Sequence, residues 1–176
     1  SGNQHHARAI SSKPKFKETG FDNKPTIQFT NDTMKVDHSD TTFNNWSKLS
    51  LFMVWQTKSW NTWTPLFGKT NSNNTTTDAT WYFLARRPDL KPPLYRWQIN
   101  GASASYSSEI NTNYSSNIKS PNVLVLTYDG SHVKAWLNGN LAINTSYSGG
   151  LRPTDYPFTL GGAANELGSA TIEFSE

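Results

Sequence analysis

Residues 123–139 read VLVLTYDGSHVKAWLNG, and this stretch decides the fold. Val123 to Tyr128 is a run of apolar, β-branched and aromatic residues too short for a helix of ordinary length. Asp129-Gly130 follows, a dipeptide that supplies the positive φ angles of a tight two-residue hairpin turn. From His132 to Leu137 the pattern alternates, with Val133, Ala135 and Leu137 on one face and His132, Lys134 and Trp136 on the other. Asn138-Gly139 makes a second tight turn, and Leu141 to Ile143 opens a third strand. Three antiparallel strands joined by two short turns form a β-meander.

Outward from the meander the chain reads as further strands. Leu49 to Thr57 carries Leu49, Leu51, Met53 and Trp55 on one face and Phe52 and Val54 on the other. Apolar residues on both faces predict a mid-sheet strand with something packed on each side. At ~3.4 Å per residue it spans about 30 Å, enough to cross a sandwich. Thr26 to Thr30 alternates, a turn at Asn31–Thr33 follows, and Met34 to Val36 continues briefly; a short strand is expected around Lys15–Lys17. Leu66 begins another, and Trp81 to Arg86 and Tyr95 to Asn100 give two more, with Pro88, Pro92 and Pro93 interrupting pairing between them. Trp81 with Phe83, and Tyr95 with Trp97 and Ile99, share strand faces and point to the core.

Residues 101–120 are polar, with Tyr106, Ile110, Tyr114 and Ile118 recurring every four positions. The Ser and Asn between them are poor helix formers, so a loop or irregular strand is expected there, not a helix. Many short strands with regular turn signals mean an all-β chain, an antiparallel two-sheet β-sandwich.

Composition narrows the function. The 176 residues are most economically one domain, residues 1–176, large enough for a substantial core. Aromatics make up 13% against a hydrophobic fraction of 35%, so the core relies on Trp, Tyr and Phe. A net charge of +3, with local basic clusters limited to Lys13-Lys15-Lys17 and Arg86-Arg87, gives no nucleic-acid footprint. The chain has no cysteine, which excludes disulfides and thiolate metal sites. No apolar run approaches the ~18 residues of a membrane span, and no signal-peptide pattern opens the sequence.

The meander, with its Tyr128-Asp-Gly130 and Trp136-Leu-Asn-Gly139 punctuation, resembles the central hairpin of concanavalin A-like (laminin-G-like) jelly-roll domains. Pro157-Phe-Thr-Leu-Gly-Gly162 is similar to the family's next strand, and Ala170 to Phe174 stands where its closing strand falls. Upstream, Ser1-Gly-Asn3, His6-Ala7, Lys13-Pro14 and Gly20 to Phe29 resemble the opening of bacterial and phage members. The likeness extends over nearly the whole chain. It implies a jelly roll and, because the chain opens inside the first motif, one module of a longer chain or a processed product.

That scaffold hosts hydrolases and lyases as well as lectins, so an enzyme has to be sought residue by residue. A retaining glycosidase needs two carboxyl groups about 5–5.5 Å apart. The resemblance implies a Glu-x-Asp-x-x-Glu strand for the laminarinase-like branch, whereas Glu18, Glu109, Glu166, Glu173 and Glu176 are scattered. It implies Gln-Ile-His for the alginate-lyase branch, and here Trp97-Gln-Ile-Asn100 has Asn where the base would stand. No Gly-x-Ser-x-Gly elbow occurs. His5 and His6 lack the partners of a zinc site, and His132 is expected at the surface after its turn. Asp32, Asp37 and Asp40, around His38, offer oxygen ligands to calcium, which some relatives bind; the competing reading is solvated loop acids.

What remains is aromatic and amide chemistry suited to sugars, whose C–H faces pack on flat rings and whose hydroxyls pair with amides. Trp60 and Trp63 lie in a polar stretch between strands and are either a binding pair or caps on the core. Trp136 is a further candidate, and Tyr106 and Tyr114 are candidates for the rim of a groove. Sequons stand at Asn31, Asn45, Asn73, Asn74, Asn113 and Asn144, to be glycosylated if the source is a secreting eukaryote.

The sequence therefore points to a non-catalytic module of an extracellular, cell-surface or virion-surface protein. Its expected partner is carbohydrate or a glycosylated surface, with no nucleic acid, no membrane insertion and no required cofactor, calcium being optional. The alternatives are a structural subunit packing in a filament, tail or coat, and a divergent glycan-active hydrolase or lyase.

Overall fold

The computed structural model describes residues 7–10, 12–36, 46–60, 64–70, 79–85, 94–101, 105–111, 120–162 and 170–175. Within them run β1 (Arg8–Ala9), β2 (Lys15–Lys17), β3 (Thr26–Thr30), β4 (Met34–Val36), β5 (Leu49–Trp60), β6 (Thr64–Thr70) and β7 (Ala79–Ala85). They are followed by β8 (Leu94–Asn100), β9 (Ser105–Asn111), β10 (Asn122–Tyr128), β11 (His132–Leu137), β12 (Asn140–Ser146), β13 (Phe158–Leu160) and β14 (Ala170–Ser175). The helical content of the described residues is a 3-10 turn at Phe21–Asn23.

The strands form two antiparallel seven-stranded sheets, ordered β1-β4-β13-β6-β7-β8-β9 and β12-β11-β10-β5-β14-β3-β2. This is the β-sandwich jelly roll that the sequence predicts. Alternation explains how the layers close. In the meander Leu124, Leu126, Val133, Ala135 and Leu137 are completely buried, and each is followed by a residue that turns outward. They meet Tyr95, Trp97 and Ile99 of the opposite sheet, whose core assignment holds. Trp55 and Tyr95 bridge the layers edge to face, with ring centroids 5.4 Å apart. Lys69 is also buried, its ammonium donating to the Thr154 carbonyl, and burial pushes its pKa down to about 8 against the pull of Asp155.

Several local expectations change. The Asn138-Gly139 turn has positive φ at both residues (51° and 80°), as that kind of two-residue hairpin requires, but the preceding two-residue turn is Gly130-Ser131 rather than Asp129-Gly130. The Asp129 N–H donates to the His132 carbonyl across it, and Gly130 alone has positive φ (97°). The Asp129 carboxylate braces this turn by accepting the backbone N–H groups of both Ser131 and His132. Met34–Val36 does not continue β3 in its sheet; the chain crosses to the other layer through Asn31, at φ 55°. Residues 105–111 form a regular strand paired along its length with β8. An interval of four is also a multiple of two, so the Tyr106–Ile110 spacing fits a strand as well as a helix, and an edge strand tolerates polar residues. Finally, β5 reaches Trp60 and is not covered on both faces: Phe52 is 68% exposed. The residue pattern shows that both faces of β5 are apolar, not that both are covered.

Candidate functional site

Antiparallel partners place their side chains on the same face, so strand register traces out surfaces. On the outward face of the β12-β11-β10-β5 half-sheet, Phe52 pairs with Val125, Val125 with Trp136, and Trp136 with Leu141. One apolar row thus crosses four strands. Phe52 is 68% and Leu141 48% exposed, Val125 and Trp136 are half-buried, and Val54 opposite Val123 widens the row. Two strand spacings separate Phe52 from Trp136, about 10 Å. A register shift between β11 and β12 at Ala135/Trp136 sets Ile143 opposite Ala135 and Leu141 opposite Trp136. The extra residue lets Ile143 enter the core while Leu141 faces out.

The next row on this face is polar. Ser50 pairs with Thr127, Thr127 with Lys134, and Lys134 with Asn144. Two hydroxyls, an ammonium and an amide therefore lie beside the aromatic row.

Elsewhere on the outward face, toward β2, Glu173 is fully buried beneath Lys17 and Lys58, each with Nζ 2.8 Å from its Oε1, while Gln28 donates to the same oxygen at 3.0 Å. Burial alone would raise its pKa, but the two ammonium groups outweigh it and hold the carboxyl below the usual range. This cluster was missed at the sequence level, since Lys17 and Glu173 are 156 residues apart.

The β10–β11 turn also gathers Asp129, Ser131, His132 and Ser146. Ser131 Oγ lies 2.8 Å from Asp129 Oδ1 and 2.9 Å from His132 Nδ1, and Ser146 Oγ lies 3.3 Å from His132 Nε2. A catalytic triad needs its carboxylate on the imidazole. Here a serine intervenes, the group is exposed, and the carboxylate caps the turn, which drives its pKa down to about 2. Among the described residues no group of three or more His, Cys, Asp or Glu side chains can hold a metal ion.

Of the candidates named from sequence, Trp136 lies in the apolar row. Trp60 is not in a loop but is the last residue of β5, opposite Ala170. Tyr106 is on β9 opposite Ile99; the surroundings of these two side chains, and Trp63 and Tyr114 altogether, lie outside the described residues. Asp32 is buried, not solvated: Oδ2 accepts the Thr30 N–H at 3.1 Å, and among the described residues Oδ1 has no hydrogen-bond partner. Asp37 and Asp40 lie outside the described residues. Asn31 and Asn144 are exposed, while Asn45, Asn73, Asn74 and Asn113 lie outside the described residues. Phe52 and Leu141 were not singled out, although pairing Val125 with Trp136 across the turn would have pointed to the row.

No family model and no curated protein sequence matches this chain. Solved structures do match. The binding domain of Paraclostridial Mosquitocidal Protein 1 superposes at a TM-score of 0.69 with 14% identity, covering 99% of this chain and 43% of that one. The shared feature is the fold. Domain 4 of an extracellular arabinanase from Geobacillus stearothermophilus, solved with arabinotriose, gives 0.59 and 13%, covering 97% and 82%. A botulinum neurotoxin type C structure, described by cell entry dependent on two ganglioside molecules, gives 0.60 and 8%, covering 98% and 42%. The chain spans less than half the length of both toxin structures.

Proposed function

We propose that this chain is a non-catalytic recognition module that binds carbohydrate, or a glycosylated surface, outside the cell or on a virion. The observation that carries the reading is the open Phe52–Val125–Trp136–Leu141 row with its polar neighbours Ser50, Thr127, Lys134 and Asn144. Aromatic rings two strands apart offer stacking surfaces to the C–H faces of linked sugars, and the adjoining row offers hydroxyl, amide and ammonium partners to their hydroxyls. A face this open leaves each contact weak, so useful affinity comes from several copies acting together. The solved structures of the same fold support the reading, being described as a toxin binding domain, a domain holding arabinotriose and a ganglioside-dependent neurotoxin.

Calcium is an optional addition. Among the described residues the buried Oδ1 of Asp32 has no partner, and it is the kind of oxygen calcium takes as a ligand; Oγ1 of the next residue, Thr33, also lacks one.

The test is a glycan array of the purified chain, with calcium and with chelator. Binding that Trp136→Ala and Phe52→Ala abolish while the fold persists is the expected result. A blank array would favour a structural module packing in a filament, tail or coat, because an apolar row across four strands is also what a subunit contact buries. Concentration-dependent assembly, with Trp136 fluorescence altered on association, would then establish that second reading.

A further inference from the structure

The inner face of the same sheet opens at its far edge. Trp55 pairs with Phe174, Phe174 with Ile27, and Ile27 with Phe16, so one inward row runs from mid-sheet to the outermost strand. Exposure rises along it, from 0% at Trp55 to 43% at Ile27 and 68% at Phe16. Inward-facing residues of a sandwich are ordinarily covered by the opposite layer. Here β2 and β3 part from β1 and β4: cavities of about 350 and 460 Å³ are lined from both sides of the gap, and a third of about 420 Å³ adjoins them against β2, β3 and β14. Ile27 lines all three. The innermost reaches Phe29, Met53 and Leu160, and the outermost is lined by Pro14, Phe16, Arg8 and Lys13.

We propose that this cleft binds a single long-chain anionic amphiphile, a fatty-acid-like molecule whose hydrocarbon tail lies along Ile27 and whose carboxylate meets Lys13 at the mouth. Three features select that occupant. The cavities are of the size of small-molecule sites, about 300–1,000 Å³. Their inner walls are predominantly apolar, which suits a hydrocarbon; a polypeptide entering there would bring N–H and C=O groups needing partners. The charged residues lining them are Arg8 and Lys13, both cationic, with no Asp or Glu among the described lining residues. Lys15, exposed on the same edge strand, adds to the positive field. The innermost cavity also touches Phe52 and Val54 of the outward row, whereas Lys13 and Phe16 line only the cavities farther out, so Lys13→Glu tests this cleft without altering the sugar-facing row.

The test is calorimetric titration of the full chain with oleate, below the concentration at which oleate forms micelles. Saturable one-to-one binding is expected. Ile27→Trp, which fills the space shared by the three cavities, should abolish it. Lys13→Glu, on an exposed side chain that cannot affect folding through packing, should weaken it about tenfold, as should replacing oleate by neutral oleyl alcohol. Three results would overturn the proposal: no saturable oleate binding by the unmodified chain, binding unchanged by both substitutions, or binding to phosphatidylglycerol vesicles without binding to monomeric oleate. If Ile27→Trp does not fold, Lys13→Glu and the oleyl alcohol comparison decide alone.

Discussion

The two faces of the β10–β11–β5 ribbon are built from the same strands and each carries an apolar row, yet those rows have opposite fates. Inward, Leu124, Leu126, Val133, Ala135, Leu137 and Trp55 are fully buried against the second sheet. Outward, Phe52 is 68% exposed and shares its row with Val125 and Trp136. Hydrophobicity therefore does not separate core from site here. What separates them is the second layer: one face has a partner sheet to exclude water, and the other is left as a surface able to meet a ligand.

Substitutions on the two faces should differ accordingly. Trp55→Ala empties the centre of the core and should cost about 3–5 kcal/mol in urea unfolding. A loss no larger than that of an outward substitution would break the contrast. Glu173→Gln tests the buried carboxylate on the outward face, where Lys17 and Lys58 are partly exposed and screened by solvent; a cost of about 1–3 kcal/mol at neutral pH is expected. Its folded pKa lies below the unfolded value of about 4.3, so its contribution is complete above that pH and is lost as pH falls through the folded value. Unfolding midpoints measured down the acid range should show this loss, and Glu173→Gln should flatten that limb.

Gly139→Ala tests the turn that holds the faces in register. Nothing lies within 4 Å of an added Cβ, so the cost is that of φ +80° alone, about 1 kcal/mol. Phe52→Ala should be smallest, within about 0.5 kcal/mol, because the ring is largely exposed in the folded state as well. A larger loss in thermal melts would mean that the outward row is structural, and would sharpen the comparison in favour of the assembly reading.

Much of the architecture was legible beforehand because it is written in short-range pattern. Period-two alternation put Val133, Ala135 and Leu137 on one face and His132, Lys134 and Trp136 on the other, and the structure buries the first set and turns the second outward. Asn138-Gly139 announced its turn through the backbone freedom those residues carry. The candidate site was legible only in Trp136. Leu141 turns outward because of a register shift, and its spacing from Ile143 alone would have sent both to the same side.

The sequence by itself determined the strands, most of the turns and which residues share a face, since each depends on the backbone preferences and alternation of a few neighbours. Tertiary structure decided which apolar face is covered, how β3 and β4 divide between layers, that Glu173 lies beneath Lys17 and Lys58, and that the sandwich parts at Phe16 and Ile27. Those features depend on pairing between segments far apart in the chain, and on the space left between two sheets once every strand has been placed.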